Sequence, residues 1–197
     1  MSQQLIGSTI LSLESVDSTN SWLKRNKAHL SVGTLVTAKT QTAGRGRRGR
    51  KWLDVQHKSL MFSFLIHPDK NAFPKQLHLL WPAVAIVEAL SSFGVAAGLK
   101  WPNDIFINGR KIGGILAETT TSARATVIIG VGLNVTQQLN DFPDHLSEKA
   151  GSIKSQSGIT IAHAELLDKI IVQLNACYTP VAAANLSFVH KKWLEMC

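Results

Sequence analysis

Residues 41–52 have the sequence Gln41-Thr42-Ala43-Gly44-Arg45-Gly46-Arg47-Arg48-Gly49-Arg50-Lys51-Trp52, and they lie between two β-favouring segments at 33–39 and 60–66. The three glycines of this stretch allow the backbone to turn tightly and to approach a ligand closely. Its four arginines supply planar donor groups that match carboxylate and phosphate oxygens. The stretch therefore predicts a loop between two strands that binds an anionic ligand.

Most of the positive charge of the chain is concentrated in and beside this loop. The chain carries a formal net charge of +8, which would fall to +2 without six basic residues between positions 39 and 51. These residues are Lys39, Arg45, Arg47, Arg48, Arg50 and Lys51. Such clustering indicates one local anion site rather than a basic face that follows a nucleic acid.

Length and composition predict a single domain, residues 1–197, with a hydrophobic core. The two cysteines, Cys177 and Cys197, form neither a metal-ligand cluster nor a disulfide framework, and no histidine falls in a metal-binding pattern. We therefore predict no protein-bound metal. The N-terminus lacks a signal-peptide pattern and no apolar run is long enough to span a bilayer, so the sequence predicts a soluble cytoplasmic protein without membrane contact.

The hydrophobic pattern predicts strands interspersed with helices. Strands are expected at 9–13, 33–39, 60–66, 97–100, 105–107, 111–117 and 126–132, and helices at 19–27, 75–93, 162–178 and 183–194. Asn108-Gly109 is a strong hairpin signal, Pro82 is expected to kink or restart its helix, and Pro180 to end the third helix. Residues 136–159 are polar and predicted to be irregular. These elements predict an α/β fold of the α+β type, with a mixed, largely antiparallel sheet flanked by helices.

The spacing Gly44-x-Gly46-x-x-Gly49 matches the dinucleotide-binding fingerprint. That motif works only when a helix begins at the third glycine and holds the pyrophosphate at its N-terminus. Here Arg50-Lys51-Trp52 follows and no amphipathic helix begins, so we reject a Rossmann fold. The loop also lacks the Gly-Lys-Ser/Thr ending of a Walker A motif. A solvated basic turn or an RNA contact remains an alternative role for it.

Four further segments carry polar or small residues at positions suited to a ligand. Ser18-Thr19-Asn20 begins a predicted helix, where plain N-capping is the alternative role. Lys100 ends a strand before the stiff Trp101-Pro102 corner, and its ammonium can either neutralise a phosphoryl group or lie in water. Gly113-Gly114 interrupts a strand, which often marks the close approach of a ligand. The amide of Asn134, in Gly130-x-Gly132-x-Asn134, suits either an adenine edge or a turn.

Taken in order, these segments resemble the biotin protein ligase family. The resemblance covers nearly the whole chain and is carried by Ser18-Thr19-Asn20, the 44–52 loop, Lys100-Trp101-Pro102-Asn103-Asp104 and the segments 111–116 and 130–134. It implies the α/β catalytic domain that biotin ligases share with lipoate ligases. It also implies that biotin and ATP, accompanied by Mg²⁺, form biotinyl-5′-AMP. The biotinyl group then passes to a lysine of a biotin carboxyl carrier protein.

The resemblance also implies roles for individual residues, with the loop closing over the ligand. Lys100, Arg45 and Arg47 are expected to be catalytic. The residues expected to bind biotin are Ser18, Thr19, Asn20, Gln41, Gly44, Arg45, Gly46, Arg47, Lys100 and Gly114. The residues expected to bind ATP are Arg47, Arg50, Trp52, Lys100, Asn103, Lys111 and Asn134.

Two departures from the family pattern shape these expectations. No helix-turn-helix pattern precedes the domain, so no specific DNA binding is expected, and the small C-terminal β-barrel of the family is expected to be missing. A homodimer is compatible with the resemblance. The rival functions are a lipoate or octanoate ligase or transferase, a non-catalytic biotin sensor and an RNA-binding domain. The arginine loop and the 100–104 corner favour biotin and ATP, whereas only Trp52 could stack on RNA near the basic residues.

Overall fold

A seven-stranded sheet organises the fold in this computed structural model, which describes residues 5–55, 57–68, 77–120, 126–182 and 186–197. The strands are β1 (Ile10–Val16), β2 (Leu35–Gln41), β3 (Ser59–Ile66), β4 (Gly98–Lys100), β5 (Asp104–Ile107), β6 (Arg110–Thr120) and β7 (Thr126–Asn134). Their order across the sheet is β1-β2-β3-β7-β6-β5-β4. Only the β1–β2 pair among these strands is parallel. The predicted mixed, largely antiparallel sheet is therefore confirmed.

The helices lie on both faces of the sheet. They are α1 (Thr19–Asn26), α2 (Leu77–Ser91), α3 (Asp144–Ser147), α4 (Ile153–Ser157), α5 (His163–Ala182) and α6 (Leu186–Met196). The main core lies between the sheet and α2, α5 and α6. Adjacent strand residues alternate between the faces, so Phe64 enters this core while Leu65 packs in a second cluster with Leu23 of α1. In the described residues, no helix has the length and apolar character needed to cross a membrane.

The local signals of the sequence explain the central strands. Every residue of β3 is buried, as its continuous apolar run predicts. The β5–β6 hairpin turns at Asn108 and Gly109, whose φ angles of 49° and 75° suit the residues found there. On the face of the sheet that packs against α2, the Trp81 ring packs edge-on against Phe64, with ring centroids 5.9 Å apart.

Two local predictions differ from the structure, and a third is narrowed by it. The helix predicted to end at Pro180 continues to Ala182, because the carbonyl that loses its partner belongs to exposed Ala176, where water can satisfy it. Helix α2 runs through Pro82 as one element, which excludes a restart there and leaves the kink as a prediction. The segment predicted to be irregular at 136–159 contains α3 and α4. The predicted helix starts at 75–76 and 183–185 lie outside the described residues.

Candidate functional site

A cavity of about 460 Å³ opens on the face of the sheet that carries α1. Its walls come from three places: the start of α1 with the end of β2, the 44–52 loop, and the corner between β4 and β5. Its floor is formed by β6 and β7. The lining residues are Ser18, Thr19, Asn20, Gln41, Arg45, Gly46, Arg47, Arg48, Arg50, Lys51, Trp52, Trp101, Pro102, Asn103, Asp104, Lys111, Gly114, Ile115, Leu116, Gly130, Val131 and Gly132.

Glycines keep the floor of the cavity open. Gly114 of β6 and Gly132 of β7 are directly paired across the two strands. A Cβ atom on Gly132 would lie 2.5 Å from Cε2 of the Trp52 ring, and one on Gly130 would lie 2.1 Å from Oδ1 of Asn20. Side chains at these positions would therefore displace the groups that the cavity needs.

The wall at the start of α1 is polar and tightly bonded. Thr19 donates from its backbone N–H to Oε1 of Gln41 over 2.8 Å, and Asn20 donates from Nδ2 to Oε2 of Glu118 over 3.0 Å. Ser18 is the N-cap residue, but its side chain makes no capping hydrogen bond and is buried at the cavity. The Ser18 side chain therefore does not cap the helix.

The arginine loop is a hairpin-like turn rather than the start of a helix. Gly46 donates to the carbonyl of Arg50 over 2.7 Å, and Trp52 donates to that of Gly44 over 3.0 Å. Between them lies a short 3-10 turn in which Arg48 has a φ of 55°. This geometry agrees with the rejection of a dinucleotide-binding fold. The guanidinium of Arg47 is held over the cavity by Asn103, whose Oδ1 accepts from Nη1 over 3.0 Å.

The electrostatic character of the cavity is strongly positive. Its cationic lining side chains are Arg45, Arg47, Arg48, Arg50, Lys51 and Lys111, whereas Asp104 is the only carboxylate among the lining residues. Asp104 pairs with Lys111, with Nζ and Oδ1 2.6 Å apart. A ligand carrying several negative charges would offset the mutual repulsion of these cations.

Lys100 is not among the lining residues of the cavity, and its role towards biotin and ATP stays a prediction. It is exposed on the edge strand β4, and its Nζ lies 5.4 Å from the centre of the Phe106 ring. Lys111 lines the cavity instead, because β6 is nearer to the floor than the edge strand. The sequence placed both lysines near one hairpin and could not rank their distances from the cavity.

Asn134 and Gly44 also lie outside the lining. The Asn134 amide is buried and makes its hydrogen bonds within the protein: Nδ2 donates to the Gly151 carbonyl over 2.8 Å, and Oδ1 accepts from Gln137 over 3.2 Å. This supports a structural role for Asn134. Gly44 lies at the base of the loop, where a Cβ would be 2.8 Å from the carbonyl oxygen of Trp52.

Sequence reasoning missed three polar residues behind the cavity wall. Ser63 lies fully buried in the apolar strand β3, and Glu118 lies in β6. A polar residue within an otherwise apolar strand was the sequence signal that could have pointed to them. Asp54 accepts from the backbone N–H of Gln41 over 2.8 Å, and burial raises the pKa of its carboxyl group. No group of three or more His, Cys, Asp or Glu residues is placed to hold a metal in the described part of the chain.

Comparisons with known proteins agree with this architecture. Residues 12–134 match the model of the biotin/lipoate A/B protein ligase family. The bifunctional ligase/repressor BirA of Bacillus subtilis is 39% identical over 175 residues, which cover 87% of this chain and 53% of that protein. The biotin–[acetyl-CoA-carboxylase] ligase of Paracoccus denitrificans is 33% identical over 164 residues, covering 79% of this chain and 67% of that one.

Solved structures show the same fold. The biotin protein ligase of Aquifex aeolicus, in complex with biotin and ATP, aligns with a TM-score of 0.78 and 32% identity over 89% of this chain and 72% of that chain. The match covers 53% of the BirA relative, so this chain spans about half the length of that protein. The family match covers more than half of the chain, so the chain belongs to the biotin/lipoate A/B protein ligase family.

Proposed function

We propose that this member of the biotin/lipoate A/B protein ligase family is an ATP-dependent biotin ligase. It activates biotin to biotinyl-5′-AMP and transfers the biotinyl group to a lysine of a biotin carboxyl carrier protein. The observation that carries the proposal is a single cavity with a polar wall at one side and a cationic loop at the other. The names of the Bacillus and Paracoccus relatives and the ligands of the Aquifex structure support the same assignment.

The polar wall is the proposed site for the biotin ring system. Ser18, Thr19, Asn20 and Gln41 present hydroxyl and amide groups around a small region over the glycine floor. Such groups can pair with the N–H and C=O groups of a ureido ring, whereas a fatty acyl chain offers no partners for them. The wall therefore favours biotin over octanoate. The proposal keeps Gly46 and Gly114 as positions where the backbone approaches biotin closely, and Gly44 as the biotin-binding position at the base of the loop.

The loop side is the proposed site for ATP. Arg47 and Arg50 are placed to meet phosphate oxygens, and Mg²⁺ would arrive with ATP as part of the substrate. Asn103 orients Arg47 and is not required to touch ATP itself. The Nε1 atom of Trp52 is buried and has no hydrogen-bond partner in the described residues, which fits a ligand beside this ring.

The proposed chemistry relies on positioning and charge. A carboxylate oxygen of biotin attacks the α-phosphorus of ATP, the bond to the β-phosphate oxygen breaks, and pyrophosphate leaves. A lysine amine of the carrier then attacks the carbonyl of the mixed anhydride, AMP leaves and the amine loses a proton. Lys100 and Lys111, of which Lys111 lines the cavity, are the proposed cations that neutralise the carboxylate and the α-phosphate as they meet.

The proposal also covers the setting of the reaction. One sheet with one main core in the described residues supports treating residues 1–197 as a single catalytic domain. ATP and carrier proteins are both found in the cytoplasm, so the reaction is placed there. The proposed activity requires no specific DNA binding, and a homodimer is compatible with it.

The complete reaction can be tested with the purified chain, biotin, Mg²⁺-ATP and an isolated biotin carboxyl carrier domain. We expect biotin on the carrier lysine by intact-mass analysis, only when ATP is present. A carrier variant with that lysine replaced by arginine is the matched control. Labelling with octanoate in place of biotin would favour the lipoate or octanoate ligase. Labelling of neither kind would contradict the proposal.

A further inference from the structure

Glu118 links two parts of the site without lining the cavity. It lies in β6, where its side chain is 17% exposed, beside the first turn of α1 and below the arginine loop. We propose that Glu118 is a positioning residue: it fixes the orientation of the Asn20 amide and holds Arg45 of the 44–52 loop against it. The effect of this positioning on biotin affinity rests on the proposed function.

The two oxygens of Glu118 serve two different donors. Oε2 accepts from Nδ2 of Asn20 over 3.0 Å, and Oε1 accepts from Nη2 of Arg45 over 2.9 Å. The Arg45 side chain is 46% exposed, so this contact ties a solvent-facing loop to a largely buried carboxylate. Arg45 also reaches Ser21 of α1, whose Oγ lies 3.3 Å from Nη1. The loop is thereby fastened to both β6 and α1.

The orientation of the Asn20 amide depends on having an acceptor at one end and a donor at the other. Ser63 donates from Oγ to Oδ1 of Asn20 over 2.6 Å, while Nδ2 faces the Glu118 carboxylate. A flipped amide would direct its oxygen at that carboxylate, which is repulsive, whereas the Ser63 hydroxyl could rotate and accept from the flipped N–H group. Glu118 therefore selects the observed orientation, together with the Leu116 carbonyl, which lies 3.4 Å from Nδ2.

Polar side chains continue towards the other end of the loop. Thr19 Oγ1 lies 2.6 Å from Oγ of Ser63 and 3.1 Å from Oε1 of Gln41, the last residue of β2. When Ser63 donates to Asn20, the single hydroxyl hydrogen of Thr19 can go either to Ser63 or to Gln41, so this part of the network is shared between two arrangements. Loop position and amide orientation are coupled directly through Glu118, which accepts from both Asn20 and Arg45.

Glu118→Gln is the diagnostic substitution because it keeps the shape and changes only the hydrogen bonding. A carboxylate accepts from both neighbours, whereas an amide accepts at one end and presents N–H groups to the other donor. In the ligand-free protein we expect backbone hydrogen exchange in residues 44–52 to speed up by about five- to tenfold. Glu14→Gln, which breaks the exposed Glu14–Lys39 pair instead, should leave exchange in the loop unchanged.

A second substitution separates positioning from general damage. In the double variant Asn20→Asp/Glu118→Gln, the amide introduced at position 118 donates to the carboxylate introduced at position 20 and accepts from Arg45. Both hydrogen bonds are thereby remade with the local charge unchanged. Loop protection should return to within about twofold of wild type. Wild-type exchange in Glu118→Gln, or no recovery in the double variant, would overturn the proposal.

Biotin binding provides the functional consequence of the same geometry. Glu118→Gln should weaken biotin binding by about tenfold in calorimetry without ATP, because the Asn20 amide is no longer held in one orientation. Unchanged affinity would refute the coupling to the ligand. If the wild-type chain bound no biotin, the proposed function would fail, while the exchange experiment would still decide the role of Glu118.

Discussion

At the scale of single residues, Lys100 and Lys111 differ in their position relative to the cavity. Lys111 lines the cavity and pairs with Asp104, whereas the Lys100 ammonium lies over Phe106. Both lysines flank one hairpin in sequence, and their separation depends on strand order and on a register shift between Ile105 and Phe106. Neither feature follows from local sequence patterns, so the sequence predicted roles for both lysines without ranking their distances from the cavity.

Lys100→Met and Lys111→Met should each lower the rate of adenylate formation by about 100- to 1000-fold, because the developing charge at the α-phosphate loses a fixed cation. Single-turnover formation of biotinyl-5′-AMP measures both, with circular dichroism as the control for folding. A rate within about threefold of wild type in either variant would remove that lysine from the proposed mechanism.

Gly132 should affect ATP binding because it leaves room for the Trp52 ring. An added Cβ would meet the ring at 2.5 Å, so Gly132→Ala must move the indole, and we expect ATP binding to weaken by about tenfold. In a Trp52→Ala background the ring is absent, and the same substitution should weaken ATP binding by less than about twofold. The dissociation constant of ATP, measured by calorimetry in the four variants, checks this. Equal penalties in both backgrounds would show that the floor acts independently of Trp52.

At the scale of elements, the loop and the first helix show what sequence could and could not predict. The glycine spacing and arginines of 44–52 predicted an anion loop without a following helix, because glycine and charge act locally. The partners of that loop are non-local: Glu118 lies 73 positions from Arg45, and Asn103 lies 56 positions from Arg47. Such pairs depend on the sheet that brings them together.

Helix α1 is tied to the residue before its N-cap by a bidentate ion pair. Arg25 donates to both carboxylate oxygens of Asp17, over 2.7 and 2.8 Å, and this lowers the pKa of Asp17 from 3.8 to about 2. A carboxyl group with a lowered pKa contributes stability above its unfolded pKa of 3.8, and this contribution is lost as the pH falls towards 2. The pair is largely exposed, so solvent screening keeps its contribution to stability small.

Arg25→Gln should therefore return the pKa of Asp17 towards 3.8 in an NMR titration. The variant should be slightly less stable than wild type to urea at pH 6, and the difference should shrink as the pH falls below about 4. Lys39→Gln, which removes a different exposed ion pair, is the matched control and should leave the Asp17 titration unchanged. An ordinary Asp17 pKa in the wild type would contradict this account.

At the scale of the whole molecule, fold class was the most predictable property. The continuous apolar run of β3 and the Asn108-Gly109 turn signal the sheet directly, and both were confirmed. Residues 136–159 were mispredicted because α3 and α4 are short and are held by tertiary contacts, such as the bond from the Lys154 backbone N–H to the Val135 carbonyl. Periodicity cannot reveal helices of four or five residues.

At the same scale, the proposed function brings biotin and ATP together in one cavity. The polar wall and the cationic loop meet over the paired glycines of β6 and β7, so a carboxylate and a phosphate could meet there away from bulk water. Under the proposed function, the first half-reaction needs this cavity and the second needs a carrier protein in addition.

The most direct test of the central claim is adenylate formation by the purified chain in the absence of any carrier. The chain would be incubated with Mg²⁺-ATP and biotin, octanoate or lipoate in parallel, and the products identified by mass spectrometry. We expect biotinyl-5′-AMP and pyrophosphate from biotin, and neither octanoyl-AMP nor lipoyl-AMP. Biotin binding without adenylate would indicate a sensor, and adenylate from octanoate or lipoate instead of biotin would indicate the other ligase class; either result would contradict the proposed function.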